Sequence, residues 1–267
     1  MQNSNVEAIE KSYEQFMFGG RKLSFDKIGF FNVGYWKGVD GSVEVAQINL
    51  IETLVSFFAK RGANVLDVAC GKGASSKFLT KYFEPNKVTG INISERQLQI
   101  CRGNAPECNF RRMDATSLDF PEATFDNILC IEAAFHFMTR QKFFEEAYRV
   151  LKPGGRLAMS DVVVHDPAFI SLIPLVFVEG SWPEENCLKD LDAYREGLLK
   201  AGFRYARVED TTEHSITALS EFEMRAAERE SAGTLDYDIL GLRNTQDVFR
   251  SSFWRNGWTW CNAYAIK

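Results

Sequence analysis

The chain has 267 residues, 45% of them hydrophobic and 25% charged, with a formal net charge of −5. Such a composition is that of an ordinary globular protein, long enough to bury a sizeable core without staples. Its acidic balance, with Lys and Arg scattered and no basic stripe, excludes nucleic acid as a main partner. The polar start Met1-Gln2-Asn3-Ser4-Asn5 predicts no signal peptide, and no apolar run is long enough for a membrane span. Six cysteines without a C-x-x-C pair, several inside apolar runs, read as buried reduced thiols of a cytoplasmic protein.

Val6, Ile9, Tyr13, Phe16 and Met17 fall at helical spacing and predict a short amphipathic helix within residues 1–22. Residues 23–43 mix aromatics with glycine (Phe25, Phe30, Phe31, Gly34, Tyr35, Trp36, Gly38) and fit no single period, which predicts a loop packed over another part of the molecule. Apolar residues at 45, 48, 51, 54, 55 and 58 predict a helix to Lys60, stopped by Gly62. A regular alternation follows. Strands are expected at Val65–Ala69, Lys87–Ile91, Asn109–Met113, Phe125–Ile131 and Arg156–Val164. Helices are expected over 74–83, from the N-cap Ser94 through Arg102, and from Arg140 to Leu151, with Lys152-Pro153-Gly154-Gly155 as a turn. Strand–helix alternation at this pitch implies a parallel sheet with right-handed crossovers. After His165 the rhythm changes: Pro167, Pro174 and Pro183 interrupt large apolars, Asp192–Ala201 reads as a helix ended by Gly202, and Tyr205–Asp210 as a strand. A longer helical stretch begins at Ser220, and Trp258–Ile266 is a terminal strand that completes the sheet.

The stretch Val65-Leu66-Asp67-Val68-Ala69-Cys70-Gly71-Lys72-Gly73 reads as strand, tight turn and helix start. Glycines there let a ligand approach bare backbone, in the place where open α/β sheets bind cofactors. A phosphate loop of the G-x-x-x-x-G-K-[ST] type is absent, and a dinucleotide fingerprint would need a third glycine where Ser76 stands. The stretch resembles motif I of the class I S-adenosylmethionine-dependent methyltransferases. Later motifs follow in the family's order: Val88-Thr89-Gly90-Ile91-Asn92-Ile93-Ser94, Arg112-Met113-Asp114-Ala115, and Lys152-Pro153-Gly154-Gly155 after a leucine. Cys130-Ile131-Glu132-Ala133-Ala134-Phe135-His136-Phe137 and the upstream Gly34-Tyr35-Trp36 are similar to stretches of the small-molecule, natural-product subgroup, the sugar O-methyltransferase and tocopherol methyltransferase type. The likeness covers about residues 30–165.

This resemblance implies an α/β, Rossmann-like, seven-stranded and mostly parallel sheet with helices on both faces, an N-terminal helical segment and helical lid insertions. It implies one domain over 1–267, with a cap (1–62), a cofactor-binding core (63–165), and lid segments with the terminal strands (166–267). The cofactor is S-adenosyl-L-methionine, and no metal is expected. Asp67 serves the ammonium end, while Ala69, Gly71 and Gly73 lie against the amino-acid tail and ribose. Asn92, with Ile93 and Gln97, takes the ribose, although the family usually has an acid at position 92. Asp114 and Ala115 take the adenine, Glu132 lies at the end of strand four, and Tyr35 and Trp36 lie over the methionine end. Plain packing of Tyr35 and Trp36 on the sheet stays open as an alternative.

Methyl transfer to a hydroxyl calls for a base, because a hydroxyl is a poor nucleophile at neutral pH. Of three histidines, His136 follows strand four on the carboxyl rim, His214 lies outside the sheet pattern, and His165 is a weaker alternative base. Asp161, ending strand five beside it, is expected to orient His136 or to act as base itself. Phe169, Ile173, Leu175, Phe177, Trp182, Phe222, Phe249, Phe253 and Trp254 crowd the segments between sheet elements and predict lids over a bulky, partly apolar small-molecule acceptor; burial of one another or of a homodimer face is the other use for them. The expected function is hydroxyl methylation of a polyketide-, peptide- or sugar-containing natural product. C- or N-methylation, and a non-catalytic cofactor-binding protein, are the alternatives.

Overall fold

The computed structural model describes Glu10 and residues 29–59, 62–172, 182–219, 221 and 257–267, with the backbone alone at 169, 171 and 172. The helix expected within residues 1–22 and the helical stretch from Ser220 lie outside the described residues, apart from Glu10 and Glu221. So do the expected lid residues, except Trp182 and the backbone of Phe169.

The strands are β1 (Val65–Val68), β2 (Val88–Asn92), β3 (Asn109–Arg112), β4 (Phe125–Ile131), β5 (Leu151–Val164), β6 (Tyr205–Asp210) and β7 (Trp258–Ile266). They form one sheet in the order β3-β2-β1-β4-β5-β7-β6. β1 to β5 run parallel, and β7 enters antiparallel between β5 and β6. The helices are α1 (Val43–Val55), α2 (Ala74–Leu79), α3 (Glu95–Asn104), α4 (Arg140–Val150) and α5 (Leu191–Lys200). Central parallel strands are covered on both faces, and β1 is buried throughout. Its alternate side chains feed two cores: Leu66 joins Ile128, Leu157, Phe143 and Tyr194 on one side of the sheet, and Val65 joins Leu50, Leu54, Leu129 and Tyr264 on the other.

α3, α4 and α5 start on side-chain caps. Ser94 Oγ accepts from the Gln97 N–H at 3.3 Å, Thr139 Oγ1 from Lys142 at 3.2 Å, and Asp190 Oδ1 from Ala193 at 2.8 Å. One expected boundary is corrected. β5 starts at Leu151, and the turn Lys152–Gly155 is a bulge inside it: the ladder to β4 steps from Phe125↔Leu151 to Asn127↔Arg156. Gly154 sits at φ +78°, and a Cβ on Gly155 would lie 2.8 Å from the Lys152 carbonyl. The C-terminal Lys267 closes the bulge, accepting from Gly154 N–H and donating to the Gly155 carbonyl, both at 3.0 Å.

The loop before α1 is packed, as its aromatic content predicts. Tyr35 N–H donates to the Ala46 carbonyl at 2.9 Å, Gln47 Nε2 to the Asn32 carbonyl at 2.8 Å, and Asn49 Nδ2 to the Tyr35 carbonyl at 2.6 Å. Gly34 makes this approach possible: its φ is +82°, and a Cβ there would lie 2.8 Å from Ala46 Cβ. Among the described residues, no helix is long and apolar enough to cross a membrane.

Sheet order fixes where a ligand goes. Val68 pairs with Ile91 on one side and Cys130 on the other. The chain therefore leaves β1 toward β2 and returns beyond it at β4, and the crevice at such a reversal, outside the carboxyl ends of the strands, is where open α/β sheets bind ligands.

Candidate active site

The loop leaving β1 lines one side of that crevice. Ala69, Gly71 and Gly73 all take positive φ, at +56°, +54° and +85°. A Cβ on Gly73 would lie 3.1 Å from Cys101 of α3, so the loop lies flat against that helix. Cys101 Sγ fastens it further by donating to the Gly71 carbonyl at 3.2 Å. Asp67 is buried under the loop and accepts from Ser75 Oγ at 2.7 Å and Ser76 Oγ at 2.6 Å. Burial pushes its carboxyl up to about 6, against the pull of the two hydroxyls. Ser76, standing where a dinucleotide fingerprint has its third glycine, is thus a hydroxyl donor to the acid of β1.

Asn92 ends β2 facing the same loop. Its Oδ1 accepts from Ser94 N–H at 3.1 Å, and its Nδ2 donates to Gln97 Oε1 at 3.0 Å and, more weakly, to the Gly71 carbonyl at 3.4 Å. Asn92 and Gln97 therefore act as one unit. An acid at position 92 has no amide to give to the Gly71 carbonyl. The Ile93 carbonyl accepts from Arg112 Nε at 2.7 Å. After β3, Asp114 Oδ1 accepts from Thr116 N–H at 2.8 Å and Thr116 Oγ1 at 2.9 Å, an Asx turn that leads into the buried Ala115.

The end of β4 supplies the other wall. Glu132 has φ +46°, rare for a side-chain-bearing residue, and its N–H donates to the Ser160 carbonyl of β5 at 2.7 Å. Its Oε2 accepts from Val33 N–H at 3.1 Å, tying the loop before α1 to the rim; its Oε1 is buried with no partner. Burial, joined by the like charge of Asp161 and opposed by the Val33 N–H, pushes its carboxyl up to about 8.

His136 closes a single turn, Ala134–His136, and is 4% exposed. Its ring lies 4.0 Å from the Phe135 ring and edge-on to Trp182 at 5.7 Å, centroid to centroid. The turn is clamped on both sides of the histidine. Phe135 N–H donates to Asp161 Oδ1 at 3.1 Å, while Asn186 Nδ2 donates to the carbonyls of Phe135 at 3.1 Å and Phe137 at 2.8 Å. Trp182 stacks on Phe135 at 4.4 Å and meets Trp258 at 4.9 Å, giving this side an aromatic wall.

The sequence leads one to expect Asp161 to orient His136 or to act as base itself. Its Oδ2 instead accepts from Arg140 Nε at 2.7 Å and Tyr194 hydroxyl at 2.9 Å, and its Oδ1 holds Phe135 N–H. Through the Phe135 N–H it holds the turn that carries His136. His165 was the weaker alternative base; Nδ1 is engaged by the Leu188 carbonyl and Nε2 by Thr259 Oγ1, both at 2.8 Å, which makes it a strand-end tie. His214, set apart by the sequence pattern, meets Tyr35 edge-on at 5.9 Å, and its carbonyl accepts from Trp36 N–H at 2.7 Å. Arg140 and Asn186 went unread in the sequence, because their partners lie in segments far along the chain.

Asp67, Asp114 and Glu132 line the rim without a lysine or arginine paired to any of them among the described residues. A pyrophosphate would find no cation there. A ligand carrying an ammonium, an amino group and hydroxyls finds acceptors in the carboxyl and carbonyl oxygens of this rim. The residues present fit S-adenosylmethionine. Residues 66–159 match the family model described as a methyltransferase domain. The chain is 30% identical over 204 residues to the 27-O-demethylrifamycin SV methyltransferase of Amycolatopsis mediterranei, covering 73% of each chain. It is 29% identical over 217 residues to the erythromycin 3''-O-methyltransferase of Saccharopolyspora erythraea, covering 76% of this chain and 71% of that one. The chain belongs to the class I S-adenosylmethionine-dependent methyltransferases. Its fold is that of a geranyl diphosphate C-methyltransferase from Streptomyces coelicolor A3(2), solved with S-adenosyl-L-homocysteine: TM-score 0.74 at 14% identity, covering 98% of this chain and 97% of that one.

In this methyltransferase Asn92→Ala cuts the link from β2 to the glycine loop and frees Gln97 at once. With a neutral hydrogen bond contributing about 0.5–1.5 kcal/mol, calorimetric affinity for the cofactor is expected to fall roughly two- to twelvefold. Unchanged affinity would assign the ribose to Gln97 and the backbone alone.

Proposed function

We propose that the protein transfers the methyl group of S-adenosylmethionine to a hydroxyl of a bulky small-molecule metabolite, such as a polyketide- or sugar-containing natural product. The observation that carries this reading is His136 on its clamped turn, at the rim of β4 and beside the aromatic wall of Phe135, Trp182 and Trp258. The names of the rifamycin and erythromycin relatives, which methylate oxygenated natural products, support it.

When bound, the cofactor supplies a methyl group already activated on a sulfonium. What remains for the protein is position, exclusion of water and removal of one proton. Asp67 and the backbone of Ala69, Gly71 and Gly73 hold the amino-acid end. Asn92, Ile93 and Gln97 hold the ribose, and Asp114 and Ala115 the adenine. Tyr35 and Trp36 cover the methionine end, on a loop that Glu132 ties down through Val33. His136 takes the proton of the acceptor hydroxyl. Asp161, Arg140 and Asn186 position the turn that carries it.

Incubation with S-adenosylmethionine and a panel of macrolides, ansamycins and glycosylated polyketides tests the reading. It expects S-adenosylhomocysteine to form in step with an acceptor heavier by one methylene. Cofactor binding with no turnover across hydroxylated acceptors, alongside turnover of amine acceptors, would overturn it.

A further inference from the structure

Glu132 holds a place that cofactor grip alone does not explain. The ladder between β4 and β1 ends at Val68↔Cys130, and Glu132 follows two residues beyond that last pair, just past the carboxyl end of β4. The backbone takes a left-handed turn at this residue. One carboxylate oxygen is bonded to the Val33 N–H at 3.1 Å and the other is buried without a partner. Of the titratable groups on the surrounding elements (Asp161 of β5, Asp67 of β1, Cys130 of β4, Cys70 of the glycine loop, His136 of the following turn and Tyr35 of the loop before α1), Asp161 adds its like charge to the burial of Glu132. Arg140, the cation of this region, is committed to Asp161. The chain therefore places a buried acid at the crevice with no positive partner of its own among the described residues.

We propose that Glu132 distinguishes the cationic sulfonium of the methyl donor from the neutral thioether of the demethylated product, and converts that difference into a stronger or weaker hold on the 32–36 loop. The inference rests on the crevice binding S-adenosylmethionine. Without a cation beside it the carboxyl keeps its proton at neutral pH, being pushed up to about 8. With the sulfonium beside it, Glu132 gives that proton to solvent. An ionised acceptor makes a shorter and stronger bond than a neutral one, so the Val33 tie tightens. Once the methyl has left, the sulfur is neutral, Glu132 takes a proton back from solvent, and the tie loosens as product departs. Donor and product share the same ammonium, carboxylate, ribose and adenine, so Asp67 and Asp114 do not separate them.

Calorimetric titration of the full chain with S-adenosylmethionine and with S-adenosylhomocysteine tests this. It is run at pH 6.5 and 7.0, below the titration of the ligands' own amino groups, in two buffers of different ionisation enthalpy. The donor is expected to release close to one proton on binding and the product far less. Preference for donor over product should rise about threefold between the two pH values, the slope of one linked proton. Glu132→Gln should abolish both differences while still binding S-adenosylhomocysteine. Equal proton counts for the two ligands, or a pH-dependent preference that survives in Glu132→Gln, would overturn the proposal. If the variant does not fold, the proton counts of the parent protein decide alone. Failure of both ligands to bind would overturn the cofactor reading instead.

Discussion

Arg140→Ala is expected to cost about 3–5 kcal/mol of folding stability, the range for breaking a buried ion pair by removing one partner. The Arg140 side chain is 4% exposed and that of Asp161 0%. All three guanidinium nitrogens are used: Nε to Asp161 Oδ2 at 2.7 Å, Nη1 to the Asn186 carbonyl at 2.7 Å and Nη2 to the Val162 carbonyl at 3.0 Å. Truncation leaves a buried carboxylate uncompensated and two carbonyls without donors, which is why the effect exceeds that of a surface pair. At about 2–4 °C per kcal/mol for a domain of this size, thermal unfolding should move down by roughly 10 °C. The double variant Arg140→Met/Asp161→Leu removes both charges and should recover the part of that loss due to the uncompensated carboxylate, while the two carbonyls stay without donors and Phe135 N–H and Tyr194 hydroxyl lose their acceptor. Both proteins should show impaired turnover, because the Phe135 N–H loses its acceptor or the acceptor its anchor. A shift below about 1 kcal/mol in the single variant would mean that the pair is not the lock on the His136 turn.

His136→Ala is expected to lower turnover by about 10²–10⁴-fold, the range typical of general acid–base catalysis, with cofactor affinity within about twofold of the parent. The two effects separate because the residues proposed for the cofactor lie on β1 and β2, on the loops after β1 and β3, on the start of α3 and on the loop before α1, whereas His136 sits on the turn after β4, against Phe135 and Trp182. Turnover and calorimetric affinity measured on one preparation check this. Unchanged turnover removes His136 from the chemistry; equal loss of affinity and turnover makes it a cofactor contact.

The sheet was legible because its strands are short apolar runs bounded by turn residues. Phe125–Ile131, Tyr205–Asp210 and Trp258–Ile266 have the ends read from sequence. Ser94 announced its helix because a cap is a local signal. The bulge at Lys152–Gly155 read as a turn before the strand, since Pro-Gly-Gly carries the same local signature whether the ladder resumes or begins. The glycine loop was legible in kind, and Ser76 only as a missing glycine; that its hydroxyl serves Asp67 is a contact across nine positions of chain. The roles of Asp161 and His165 were beyond the sequence for the same reason. A strand-end acid or histidine is placed by local pattern, but what occupies its oxygens or nitrogens comes from Arg140, Tyr194, Leu188 and Thr259, which only the fold brings near.

The most direct test of hydroxyl methylation is to follow the methyl group itself. Turnover with S-adenosylmethionine carrying a carbon-13 methyl, on any acceptor that the protein accepts, should give a product whose labelled carbon resonates as a methyl ether and couples only through oxygen. A label found on carbon or nitrogen would contradict the account and leave His136 without a hydroxyl proton to remove.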